Sequence, residues 1–121
     1  MPIEFEAQAG NVAVFRISGE LAKEELENAQ AQCEELIKTA GQVKMLILLE
    51  GFSGWERAEG WEDSSFAERN DEHIEKMAIV GDAEWKDLVL VFTLQGLRPT
   101  PIKYFEPHQE ALARQWLDTR E

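Results

Sequence analysis

An α/β fold is predicted by three features of this 121-residue chain. Two period-two runs flank Gly10-Asn11 near the N-terminus, a nearly continuous apolar run occupies residues 43–49, and helical and strand-like patterns alternate from there on. Such alternation implies a mostly parallel or mixed sheet with right-handed crossovers, preceded by an antiparallel hairpin. With no repeat, low-complexity tract or Pro/Ser linker, residues 1–121 read as a single domain.

The elements follow in order. Ile3, Phe5 and Ala7 alternate with Glu4, Glu6 and Gln8, the pattern of a half-buried strand. Beyond the Gly10-Asn11 turn, Val12, Val14 and Arg16 alternate with Ala13, Phe15 and Ile17, so the two runs pair as a hairpin. A helix is expected over residues 21–40. Ala22, Leu26, Ala29, Cys33, Leu36, Ile37 and Ala40 fall at spacings of three and four, with the glutamates off that stripe, and Gly41 ends it. Residues 43–49 suit a central strand covered on both faces. Residues 74–80 form a short strand, and a second helix is expected over 83–95 with Asp82 as its N-cap. Residues 102–105 are a last strand. Glu106-Pro107 opens a final helix, proline standing where its missing donor is harmless, and Leu112, Ala113, Trp116 and Leu117 are its expected core face.

Composition narrows the function classes. Hydrophobic residues at 44% and charged residues at 30% are globular rather than disordered proportions. The longest apolar run is far too short to span a bilayer, and residues 1–9 are acidic with no basic apolar leader, so no secretory signal is expected. One cysteine, Cys33, excludes an internal disulfide framework. It lies on the apolar stripe and reads as a small buried hydrophobe. The expected compartment is the cytoplasm. Asp and Glu total 24 against 12 Lys and Arg, a formal net charge of −12. Such a surface repels phosphate backbones, so nucleic acid is not an expected partner.

Two regions stand out. Within residues 51–66, Phe52, Trp55, Trp61 and Phe66 share a glycine-bearing stretch just past a central strand, where open α/β sheets place their ligands. These aromatics act either as lid or anchor residues or as an outlying piece of core. Glu56, Glu59, Glu62 and Asp63 interleave them and disfavour an anionic head group. In the second helix, Trp85, Leu88, Val89 and Phe92 form one face, while Leu90, Val91 and Leu94 lie on the other. A helix apolar all round is covered twice, docked on a partner, or set against lipid.

Catalytic chemistry has no foothold. His73 and His108 are isolated from one another and lack metal-ligand spacing, and no serine sits in G-x-S-x-G. Gly51-Phe52-Ser53-Gly54 lacks the lysine of a phosphate loop. No catalytic residue, metal site or cofactor is therefore expected. Asp63-Ser64-Ser65 stands where a helix begins, and phosphate there would gain from the free amides. The plain alternative is a helix cap by Ser64 or Ser65, with Glu68 completing a capping box from Ser65.

Three stretches in order carry a family resemblance: Leu48-Leu49-Glu50-Gly51-Phe52-Ser53-Gly54-Trp55; Lys76-Met77-Ala78-Ile79-Val80-Gly81-Asp82-Ala83-Glu84-Trp85; and Ile102-Lys103-Tyr104-Phe105 with Glu110-Ala111 and Trp116-Leu117. With the hairpin and first helix, they resemble the STAS domain of anti-sigma-factor antagonists, and more closely its divergent branch, the SpoIIAA-like protein family. The resemblance implies a four- or five-stranded mixed sheet flanked by about four helices, similar to lipid-binding CRAL-TRIO domains, and no enzyme activity. In sigma-regulatory antagonists, D-S-[ST]-G follows the third strand directly. Here Asp63-Ser64-Ser65 is followed by Phe66 and lies well past the strand.

The expectation is a non-catalytic binding module. It binds an apolar small molecule or lipid, or associates with the inner face of a membrane, through Phe52, Trp55, Trp61, Phe66, Trp85, Leu90, Val91 and Leu94. The alternatives are a STAS-type protein-interaction module regulated at Ser64 or Ser65, and a homodimer whose apolar helix is only its interface.

Overall fold

Strand β1 (Ile3–Gln8) pairs antiparallel with β2 (Val12–Leu21), and positive φ at Gly10 and Asn11 turns the chain between them. Phe5 lies opposite Phe15, their rings edge-to-face at 5.3 Å, so the hairpin is locked on its core side. The computed structural model describes residues 3–56, 65–93 and 98–119.

Helix α1 (Lys23–Ala40) buries Ala29, Cys33 and Ile37, and Leu26, Leu36 and Ala40 pack beside them. It ends where expected, with Gly41 at φ 84° and its N–H donating to the Ile37 carbonyl at 2.8 Å. It begins two residues later than expected, because Leu21 is still paired in the sheet. Strand β3 (Val43–Trp55) lies between β2 and β4 (Ile74–Val80), parallel to both, and β5 (Ile102–Phe105) pairs parallel with β4. The sheet order is β1-β2-β3-β4-β5, so each parallel connection reaches the next strand.

The pleat of β3 divides the core. Val43 and Met45 join Phe15, Ile17, Met77 and Ile79 under α1, with Phe66 of α2 (Ser65–Asn70) and Val89 of α3 (Lys86–Phe92) on the same face. Leu46 and Leu48 join Val14, Ala78 and Val80 on the other face, closed by Ala113 and Leu117 of α4 (Glu110–Asp118). A strand sandwiched in this way must be apolar on both sides, which explains the nearly unbroken run at 43–49.

Four expectations are corrected. β3 does not end at residue 49 but runs on to Trp55, because β2 also continues and supplies partners: Gly19 for Phe52, Glu20 for Gly54 and Leu21 for Trp55. The first residues of the expected aromatic loop are therefore strand. The second helix is shorter than 83–95. A 3₁₀ turn (Ala83–Trp85) leads into α3, which has Thr93 as its C-cap. The Asp82 side chain makes no cap bond; its backbone carbonyl instead accepts from Trp85 N–H at 3.1 Å and Tyr104 O–H at 2.7 Å. Finally, Leu112, expected on the core face of the last helix, lies in solvent at 52% exposure, as does Leu88 of α3 at 55%.

Candidate functional site

The end of β3 and helix α3 meet in a cluster of aromatic rings. Phe52 stands edge-on to Trp55 (5.2 Å) and to Trp85 (4.9 Å). Trp55 touches Trp85 at 6.1 Å and Phe92 at 5.1 Å. The two tryptophans come from different elements, a strand end and the turn that opens α3. Backbone geometry makes room for them. Gly54 sits at φ +113°, and a Cβ there would touch the Trp85 ring at 3.6 Å. A side chain at that position is strained by the φ alone.

The cluster mixes occupied and free groups. Phe52 and Phe66 are core residues, each 8% exposed, and Leu90 packs partly buried against the same core. The indole nitrogens of Trp55 and Trp85 are buried and find no acceptor among the described residues. On the outer side of α3, Val91 is 73% exposed and stands one turn from the exposed Leu88. Glu84 and Asp87 are exposed on the same side. Trp61, Ser64 and Leu94 lie outside the described residues, as do Glu59, Glu62 and Asp63. Ser65 is the first residue of α2.

Glu56 does not line the aromatic rim alone. Its carboxylate accepts the Lys23 N–H at 2.9 Å, satisfying one of the free amides at the start of α1. Two features of this region were not anticipated. Phe92 completes the ring cluster, and its position seven residues after Trp85 was the available signal. The other is a tether below α3. Arg98 donates to both Asp71 oxygens (3.0 and 2.6 Å) and to the Thr93 carbonyl (3.1 Å), with both side chains only 11% exposed. No local pattern links residues so far apart in sequence.

The tether continues toward α1. Next to Asp71, Asn70 donates to Glu34 at 2.8 Å and Arg69 donates to it at 3.1 Å. These bonds, with Asn70 first, hold the Glu34 carboxyl below its usual range. Behind it, burial in the core, helped by the Glu34 charge, pushes the Cys33 thiol up to about 12. A thiol so placed is a packing group rather than a nucleophile. Among the described residues no cluster of His, Cys, Asp and Glu is arranged to hold a metal ion. Among the described residues no helix is long and apolar enough to cross a membrane. What the site offers is contact surface: ring faces, two indole donors and an outward apolar strip.

A SpoIIAA-like family model matches residues 12–118. Among solved structures, an uncharacterised protein of the DUF3478 family with a SpoIIAA-like fold, from Shewanella loihica PV-4, superposes with a TM-score of 0.66 at 23% identity, covering 95% of this chain and 91% of that one. The anti-sigma factor antagonist SpoIIAA in its unphosphorylated form superposes with a TM-score of 0.61 at 16% identity, covering 94% of this chain and 97% of that one. A search of curated proteins returns no match.

Proposed function

The chain belongs to the SpoIIAA-like family, and from that footing we propose that it is a non-catalytic protein-interaction module whose docking surface is the outer face of α3. The observation that carries this reading is the solvent exposure of Leu88 and Val91 on successive turns of one helix. Adjacent exposed apolar residues on a well-anchored helix are a contact surface in search of cover. The regulatory role named for the structural neighbour, an anti-sigma factor antagonist, supports the same class of function. Under this reading Ser64 and Ser65 are the positions where a phosphate would alter docking.

A second reading, binding of an apolar molecule or lipid by the aromatic cluster, draws support from the two unpartnered indole donors. Against it stands the mutual packing of the rings, which already bury one another. Membrane association is opposed further by the net charge of −12.

The test pairs wild-type protein with the Leu88→Ser/Val91→Ser variant in affinity capture, followed by reconstitution with the purified partner. A protein that forms a defined complex with the wild type, and loses it with the variant, supports the docking reading. A blue shift of tryptophan emission on adding fatty acids or phosphatidylcholine vesicles, undiminished in that variant but lost in Trp55→Ala, would move the function to the aromatic cluster.

A further inference from the structure

We propose that the segment docking on α3 is a cationic amphipathic helix of a protein partner: an apolar stripe flanked by Lys or Arg. This rests on the reading of α3 as the docking face and specifies its partner. At the helical repeat, Glu84, Asp87, Leu88 and Val91 fall on one side of α3 and the turn that opens it, while Trp85, Val89 and Phe92 fall on the side packed against the molecule. The outward side is therefore a short apolar strip with two exposed carboxylates at its N-terminal half. No ion pair among the described residues engages Glu84 or Asp87. Both are exposed, so an incoming cation can reach them.

The arrangement selects among occupants. A second copy meeting this face would bring a second Glu84 and Asp87 to the same small contact and raise its negative charge, which disfavours that occupant. An anionic bilayer meets the same carboxylates. A small apolar molecule needs a concave site, and the outside of a helix is convex. A helix with apolar residues at i, i+3 or i+4 meets the one-turn spacing of Leu88 and Val91 ridge to groove. Lys or Arg beside that stripe answers the carboxylates and speeds the encounter with a chain of net charge −12.

The probes are three synthetic helical peptides of equal leucine content with lysine, glutamine or glutamate on the flanks, titrated against the full chain by calorimetry. The lysine peptide is expected to bind, with affinity falling about tenfold or more both in Leu88→Ser/Val91→Ser and in Glu84→Lys/Asp87→Lys, as for the loss of central contacts. Glu72→Lys/Glu75→Lys, the same charge change at the other end of β4, is expected to leave binding within about twofold. Equal losses in the two charge-reversed proteins would mean only a general attraction to an acidic surface and would overturn the inference. If the glutamine peptide binds as well as the lysine peptide and Glu84→Lys/Asp87→Lys changes nothing, the cationic partner is wrong while the docking face survives. If no peptide binds and mass rises with concentration, both readings fall to the homodimer.

Discussion

Helices α3 and α4 are a natural pair for comparison. Both are short, both follow the C-terminal end of a parallel strand, and both are held at the C-terminal end by a cation largely shielded from solvent. For α4 the cation is Lys76, 4% exposed, whose Nζ donates to the carbonyls of Trp116 (2.8 Å) and Thr119 (2.7 Å) and to the Thr119 hydroxyl (2.6 Å), and lies 5.0 Å from the Trp116 ring centroid. For α3 it is Arg98, which reaches one carbonyl and depends on Asp71 for the rest of its bonds. The N-terminal ends differ as well. Gln109 Oε1 accepts the Glu106 N–H at 3.0 Å in front of α4, behind Pro107 at the first position, whereas no side chain caps α3. One helix closes a whole face of the sheet with Ala113 and Leu117. The other leans on an aromatic cluster and turns Leu88 and Val91 outward. The lesson is that the same number of apolar residues, five in each helix, does not imply equal work: α4 completes the core, and α3 presents a surface.

That contrast can be broken in graded steps. The largest effect is expected from Arg98→Met, which strands the Asp71 carboxylate, only 11% exposed, and should lower stability by about 3 kcal/mol in chemical denaturation. Loss of less than about 1 kcal/mol would mean that α3 needs no anchor. Lys76→Met takes away the donor shared by three acceptors at the end of α4, although the Trp116 carbonyl keeps its bonds from Thr119, and should cost about 1–3 kcal/mol. Hydrogen exchange should report the loosening in α4 and not in α3.

Acid sharpens the comparison. The Glu34 carboxyl is held low in the folded state, so its contribution is complete above the ordinary glutamate value and is lost as pH falls through the lowered one. Because Glu34 holds Asn70 and Arg69, next to Asp71, α2 and α3 should exchange faster in acid, while α4, tied to carbonyls by a lysine, should not. Equal acceleration in both helices would show that the two tethers do not differ. Gln109→Ala is expected to cost about 0.5 kcal/mol. Leu88→Ser should change the melting behaviour least, within about 0.5 kcal/mol, while weakening the docking proposed for α3. A strongly destabilised Leu88→Ser protein would place that side chain in the fold rather than on its surface.

Much of the architecture is legible before any coordinates. The hairpin, the stripe and glycine stop of α1, and the bounds of β4 and β5 follow from local rules, because periodicity and turn chemistry act over a few residues. The site is less legible. Apolar residues all round the second helix signalled something unusual but not which side is covered. Leu88 stands outward although the pattern groups it with the packed Trp85, Val89 and Phe92, and Leu90 packs inward although it is grouped with the exposed Val91. The extension of β3 to Trp55 was hidden because its glycines and aromatics look like a loop until the continuation of β2 is known to pair with them.

The sequence by itself determined the order and kind of the elements and the acidity of the surface. It also determined which residues are apolar enough to form a core. Tertiary structure alone decided that Phe52, Trp55, Trp85 and Phe92 become one cluster, that Asp71 meets Arg98 and Lys76 meets the end of α4, and that Leu88 and Val91 are left outside. The physical reason is range. Propensity and pattern describe a residue's neighbours along the chain, whereas burial and pairing depend on which distant segment arrives to cover it.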